Sequence, residues 1–127
     1  MTIKNFIKKW HGKGVEDYGG IVSPEFVQFT KDFRAALNGI CKAINADLVS
    51  YSKGHYDLSA FIERDGRYVY LSFSVPRGEF PVNLDAHDPM RGFLVRTARH
   101  AKDFTGGMNH FCSAIDLENN IDRLLNE

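Results

Sequence analysis

The chain has only two cysteines, Cys41 and Cys112, no net charge at neutral pH and no apolar run approaching the ~20 residues that cross a bilayer. Two cysteines are too few for a disulfide scaffold and their spacing is not that of a redox pair, so both thiols are expected to be reduced. The 16 Lys and Arg balance the 16 Asp and Glu. A nucleic-acid binder usually carries net positive charge and a DNA mimic a large negative one, so this balance argues against both. The opening Met1-Thr2-Ile3-Lys4-Asn5-Phe6 lacks the long apolar core of a secretion signal, which makes a cytoplasmic protein the expectation. A Walker-type Gly-Lys-Ser/Thr loop, a His-Glu-x-x-His helix and a Gly-x-Ser-x-Gly elbow are all missing, and with them the compact catalytic signatures. No repeat, low-complexity tract or linker interrupts the chain, so one domain over residues 1–127 is expected.

What is present is patterned. Ile3, Phe6, Ile7 and Trp10 fall at helical spacing with Lys4, Lys8 and Lys9 opposite, which predicts a short amphipathic helix ended by His11-Gly12-Lys13-Gly14. The segment to Gly19-Gly20 reads as a loop. Ser23-Pro24-Glu25 then supplies an N-cap, a first-turn proline and an early acid, and Phe26, Phe29, Phe33, Leu37, Ile40 and Ile44 form one seam of a long second helix. Cys41 borders that seam as a small buried residue. Strands follow from Leu48-Val49-Ser50-Tyr51 through a hairpin turning at Asp65-Gly66. If Arg64 faces Arg67, then Ile62 faces Val69, Ala60 faces Leu71 and Leu58 faces Phe73, and all six apolar residues lie on one side of the sheet. Pro76 to Pro81 and Asp85 to Pro89 read as turns, Phe93 to Ala98 as a fourth strand, and Ile115 to Leu125 as a closing helix. The expected fold is α+β, a two-layer domain in which an antiparallel sheet of about four strands packs against a long helix in the N-terminal half, with short terminal helices.

The opposite side of that hairpin carries Glu63 with Tyr68, Phe61 with Tyr70, and Ser59 with Ser72, too polar for a core and too aromatic for an idle surface. Beside it, an apolar run ending at Val95 gives way to Arg96, Thr97, Arg99, His100, Lys102, Asp103 and the pair Gly106-Gly107. Such an abrupt change marks the place where a strand ends and a site begins, and glycine there permits close backbone approach. Aromatics and arginines dominate well-packed protein interfaces, so Phe61, Tyr68, Tyr70, Arg96, Arg99 and Asp103 are the expected partner-binding residues.

Lys53-Gly54-His55-Tyr56, the strand Tyr68-Val69-Tyr70-Leu71-Ser72-Phe73-Ser74, and Leu94-Val95-Arg96-Thr97-Ala98 followed by Lys102-Asp103-Phe104-Thr105-Gly106-Gly107-Met108-Asn109 together resemble small proteins of phages, plasmids and conjugative elements of Gram-positive bacteria. The resemblance covers roughly the C-terminal two thirds. It implies, among other activities of such elements, an anti-CRISPR inhibitor that binds the RNA-guided nuclease of a type II system in the host cytoplasm and blocks its DNA loading or activation. Those inhibitors share no common fold or signature, so no residue role is carried over. With balanced charge, such an inhibitor would dock on a protein domain rather than imitate DNA.

Three further readings compete. His55 and Asp57 share a strand face, His110 and Cys112 have the same spacing of two, and His100 precedes the glycine pair. If the segment from His100 to Cys112 folds back over the polar sheet face, then His55, His100, His110 and Cys112 offer the ligands of a tetrahedral structural zinc. The competing assignment is exposed or hydrogen-bonded loop histidines; His87 reads as turn chemistry and His11 as a helix end. A nuclease or phosphotransfer enzyme would use a histidine for proton transfer, Asp103 to orient it or hold a metal, and Arg96 with the Gly106-Gly107 amides to stabilise phosphate. A local ion pair of Arg96 and Asp103 that pins the loop is the simpler assignment, so a binding protein is favoured over an enzyme. A nucleic-acid accessory factor would use Lys4, Lys8, Lys9 and Lys13 or Arg91, Arg96, Arg99 and Lys102, but Asp116, Glu118 and Asp122 offset them.

Overall fold

The computed structural model describes residues 1–11, 13, 17–18, 21–22, 24–54, 57–74 and 92–127. Helix α1 spans Ile3–Trp10, and its first turn is capped by Thr2, whose Oγ1 accepts from Asn5 N at 3.1 Å. A two-residue antiparallel pair follows, β1 Asp17–Tyr18 with β2 Ile21–Val22, in the stretch read from sequence as a loop. Helix α2 runs 20 residues, Pro24–Ala43. The long helix is therefore the second of the three α-helices among the described residues, and the N-terminal one is short. Ser23, its expected cap, lies outside the described residues, as do the turn regions from Pro76 to Pro81 and from Asp85 to Pro89. At the other end of α2, Asn45 takes a left-handed φ of 57° and Ala46 N donates to Cys41 O at 2.8 Å, the six-to-one bond that closes a helix C-terminus.

Among the described residues the sheet has five strands, one more than the sequence pattern predicted: β3 Asp47–Lys53, β4 Asp57–Arg64, β5 Arg67–Ser74, β6 Phe93–Ala98 and β7 His110–Cys112, antiparallel throughout and adjacent in chain order. The added strand, β7, is three residues long and pairs Val95 with His110, Leu94 with Phe111 and Phe93 with Cys112. The β4–β5 register is the one that Asp65-Gly66 dictates, from Arg64 opposite Arg67 to Leu58 opposite Phe73. Both turn residues have positive φ, 52° and 80°, as a two-residue hairpin requires.

All the large apolar side chains predicted for the inner face are buried, and the helices cover them. Phe29 and Phe33 of α2 meet Phe73 and Phe93 at centroid distances of 5.7 and 5.0 Å, while Phe6 of α1 lies 5.3 Å from each of Phe29 and Phe33. Trp10 packs on Phe29 and donates Nε1–H to the buried Asp32 at 2.9 Å, a carboxylate that also receives Lys9 and Gln28. Helix α3, Leu117–Leu125, completes the layer with Leu117, Ile121, Leu124 and Leu125. Arg64 ties its end to the other elements: Nη1 donates to Ile44 O at 2.8 Å and Asp122 Oδ1 at 2.7 Å, and Nη2 to Asp122 O and Asn126 Oδ1. Among the described residues, no helix is long and apolar enough to cross a membrane.

Candidate functional site

With the helices on one face, strand alternation assigns the rest of the sheet to the other. Ser50, Phe61, Tyr70 and Arg96 form one cross-strand row of this outer face, and Ser52, Ser59, Ser72, Leu94 and Phe111 the next. No described helix covers them. The loop between β6 and β7, residues 99–109, folds back over the row at its centre. Phe104 places its ring edge-on to Phe61 and Tyr70, with centroids 5.2 and 5.7 Å away, and Phe61 and Tyr70 are themselves 5.0 Å apart. Phe61 is thereby buried although it stands outside the main core. It is the floor of the cluster, and Phe104, which is 57% exposed, is its outward surface.

Asp103 holds the loop in this shape. Its carboxylate is buried and accepts from Arg99 N at 2.9 Å and Arg99 Nε at 3.0 Å, and from the backbone amides of Thr105 at 3.2 Å and Gly106 at 2.9 Å. The Arg99 side chain and these amides hold its pKa well below the usual carboxylate range against the opposing effect of burial. The backbone nest that could have cradled a phosphate is filled by the protein's own anion. Both glycines follow from this packing. A Cβ on Gly106 would run into the Asp103 carboxylate, and Gly107 has φ +76° with a would-be Cβ overlapping the Thr97 carbonyl oxygen and 2.8 Å from Thr97 Oγ1.

Arg96 does not pair with Asp103, as the simplest sequence reading had it. Its guanidinium lies over the Tyr70 ring, 4.5 Å from the centroid, while Nη1 donates to Asn109 Oδ1 at 3.2 Å and Nη2 to Phe104 O. Arg96 thus joins the sheet to both ends of the loop's second half. The ion pair belongs to Arg99, four residues before Asp103, because the turn at 100–102 brings those two together. Beyond Gly107 the chain presents Met108, 75% exposed.

Of the expected partner-binding residues, Tyr70, Phe61 and Arg96 form one cluster and Arg99 with Asp103 stabilises the loop above it. Tyr68 lies one row away, half-buried opposite Ala98. Phe104, Met108 and Asn109 were absent from that set; their sequence signal was only their place on either side of the glycine pair, Phe104 before it and Met108 and Asn109 after it.

The expected metal ligands do not gather among the described residues. His100 is exposed, and its Nδ1 accepts from Lys102 N at 3.2 Å. His110 is half-buried on β7, and Cys112 is in the core opposite Phe93, its thiol pushed up to about 11 by burial and by the Asp116 charge. His55 lies outside the described residues, and no group of three His, Cys, Asp or Glu able to hold a metal is found among the described ones. The loop folds back over the sheet face, but it is Phe104 that reaches the face.

Comparison with known proteins finds no matching family model, no matching curated protein and no matching solved structure.

Proposed function

We propose that this protein acts as a stoichiometric binding module, docking on another protein through its outer sheet face and the loop from Arg99 to Asn109. The observation that carries this reading is a solvent-facing Phe104 and Met108 held on a loop that a buried carboxylate and two arginine anchors keep in one shape. An exposed aromatic on a locked support forms contacts with little ordering cost, which is the physics of an interface anchor. The same geometry weighs against the enzymatic alternative. Asp103 is surrounded by donors from its own loop, and Arg96 is engaged by Tyr70, Phe104 and Asn109, so neither group faces a substrate.

The resemblance to mobile-element proteins suggests the partner: the RNA-guided nuclease of a type II CRISPR system, blocked in DNA loading or activation. The test is a dose series of this protein in a target-DNA cleavage assay with that nuclease and its guide. Inhibition that reaches completion near one equivalent supports the proposal. Inhibition at substoichiometric amounts would indicate turnover and favour an enzyme, and an unaltered cleavage rate at large excess would remove this nuclease as the partner.

A further inference from the structure

A second surface lies on the far edge of the sheet. Among the described residues, strand β3 pairs only with β4, and no described strand lies along its other side. Gly54 N donates to Asp57 O at 2.9 Å, which makes these two a hydrogen-bonded pair of the antiparallel ladder. Alternation along the register then aims the backbone groups of Ser50 and Ser52 at β4 and those of Tyr51 and Lys53 outward, away from the sheet. The side chains of those same two residues point to the helix side, where they and α2 form a groove of about 210 Å³.

The groove is cationic. Lys31 and Arg34 of α2 and Lys53 of β3 line it, and none has an ion-pair partner among the described residues. Arg34 lies over the Tyr51 ring at 5.4 Å, and Tyr51 is fixed by donating its hydroxyl to Thr30 O at 2.7 Å. Asp32, which follows Lys31 on α2, is turned to the other side and taken up by Lys9, Trp10 and Gln28.

From this juxtaposition we infer that the β3 edge accepts an extended acidic segment of a partner protein as a sixth strand. Its backbone pairs with Tyr51 and Lys53, and its alternate side chains, placed 2 residues apart, carry carboxylates to Lys31, Arg34 and Lys53. The β3 bulge between Leu48 and Ser50, with Val49 exposed, twists the strand's start away from pairing and confines the docking to its second half. Nucleic acid would satisfy the cations but not the outward N–H and C=O groups, so a peptide is the fitting occupant. This site is on the sheet's β3 edge, apart from the outer face that carries Phe104, and stands or falls separately from it.

The test is an amide-resolved NMR titration of the full ¹⁵N-labelled chain with acetyl-(Glu-Thr)4-amide. The controls are acetyl-(Lys-Thr)4-amide, a backbone N-methylated form of the acidic peptide, and an eight-nucleotide oligodeoxythymidylate. Saturable shifts centred on the Tyr51 and Lys53 amides, seen with the acidic peptide alone, are expected. Arg34→Glu with Lys53→Glu should weaken them at least tenfold, as should Lys31→Glu by itself, whereas Phe104→Ala should leave them unchanged. No shift at those amides at millimolar peptide, or equal binding of the N-methylated peptide, would overturn the strand-addition inference. Tighter binding of the oligonucleotide at the same residues would overturn it in favour of a phosphate track.

Discussion

Two glycine-to-alanine substitutions separate backbone strain from steric contact. Gly66 and Gly107 have nearly the same dihedral, φ +80° and +76°, but a Cβ on Gly66 would meet nothing within 4 Å, while one on Gly107 would overlap the Thr97 carbonyl. Left-handed backbone in a residue with a side chain costs ~1–2 kcal/mol, so Gly66→Ala should lose about 1 kcal/mol and lower Tm by roughly 3–5 °C in a chain of this size. Gly107→Ala carries the same strain plus forced overlap with β6, which adds about 1–3 kcal/mol by analogy with overpacked cores. The total cannot exceed the free energy of detaching the loop, so at that ceiling the loss reappears as local opening. Urea denaturation of both variants, with hydrogen exchange at the Thr105 and Gly106 amides, reads the two outcomes. Gly107→Ala should be the more destabilised by at least about 1 kcal/mol, or should lose protection at those amides. Equal stabilities with unchanged protection would refute the close loop-to-β6 packing on which the candidate surface depends.

Other consequences are independent of that loop. Phe33→Ala removes the ring that links Phe6 to Phe93, at 5.3 and 5.0 Å, and should cost about 3–5 kcal/mol in urea unfolding. Arg64→Met removes the donor to Ile44 O, Asp122 and Asn126 and should cost about 2–4 kcal/mol. Most of that loss should persist when Asp122 is already Ala, because the Asp122 side chain is half exposed and its ion pair is worth under ~1 kcal/mol. Asp103 and Asp32 both have pKa values below the usual 3.8, the second because hydrogen bonds from Lys9, Trp10 and Gln28 outweigh the burial that pushes it up. Their contribution is complete above the unfolded value and is lost as pH falls through the lower folded values, so Asp103→Asn should flatten the acid limb of a stability–pH curve below about pH 4. Cys41 and Cys112 are buried with thiols pushed up to about 11, so neither should react with a disulfide reagent at pH 8 until urea unfolds the chain.

The parts of this fold that were legible from sequence are those governed by periodicity. The aromatic seam of α2 and the β4–β5 register needed only spacing and the Asp-Gly turn, because one wrong step would have put Leu58, Ala60 and Ile62 on the wrong face. Strand β7 is too short to show a period, and it forms because Phe93 and Val95 leave an edge that Cys112 and His110 can close. Loop 99–109 has no period at all, and its path is set by which donors reach the Asp103 carboxylate. That is why Arg99 rather than Arg96 makes the ion pair, and why Phe104 rather than a histidine covers Phe61. The outer face was readable as aromatic and polar; the residue that packs over it, Phe104, was not.

The most direct test of the docking account is native mass spectrometry of the purified type II nuclease–guide complex mixed with the wild-type chain and with a Phe104→Ala, Met108→Ser variant. Truncation of central interface anchors costs ~2 kcal/mol or more each, so the account predicts a one-to-one complex for the wild type and a loss of at least about thirtyfold in affinity for the variant. Far-UV circular dichroism should show the variant still folded, since both side chains are exposed. No wild-type complex, or an equally abundant complex with the folded variant, would contradict it.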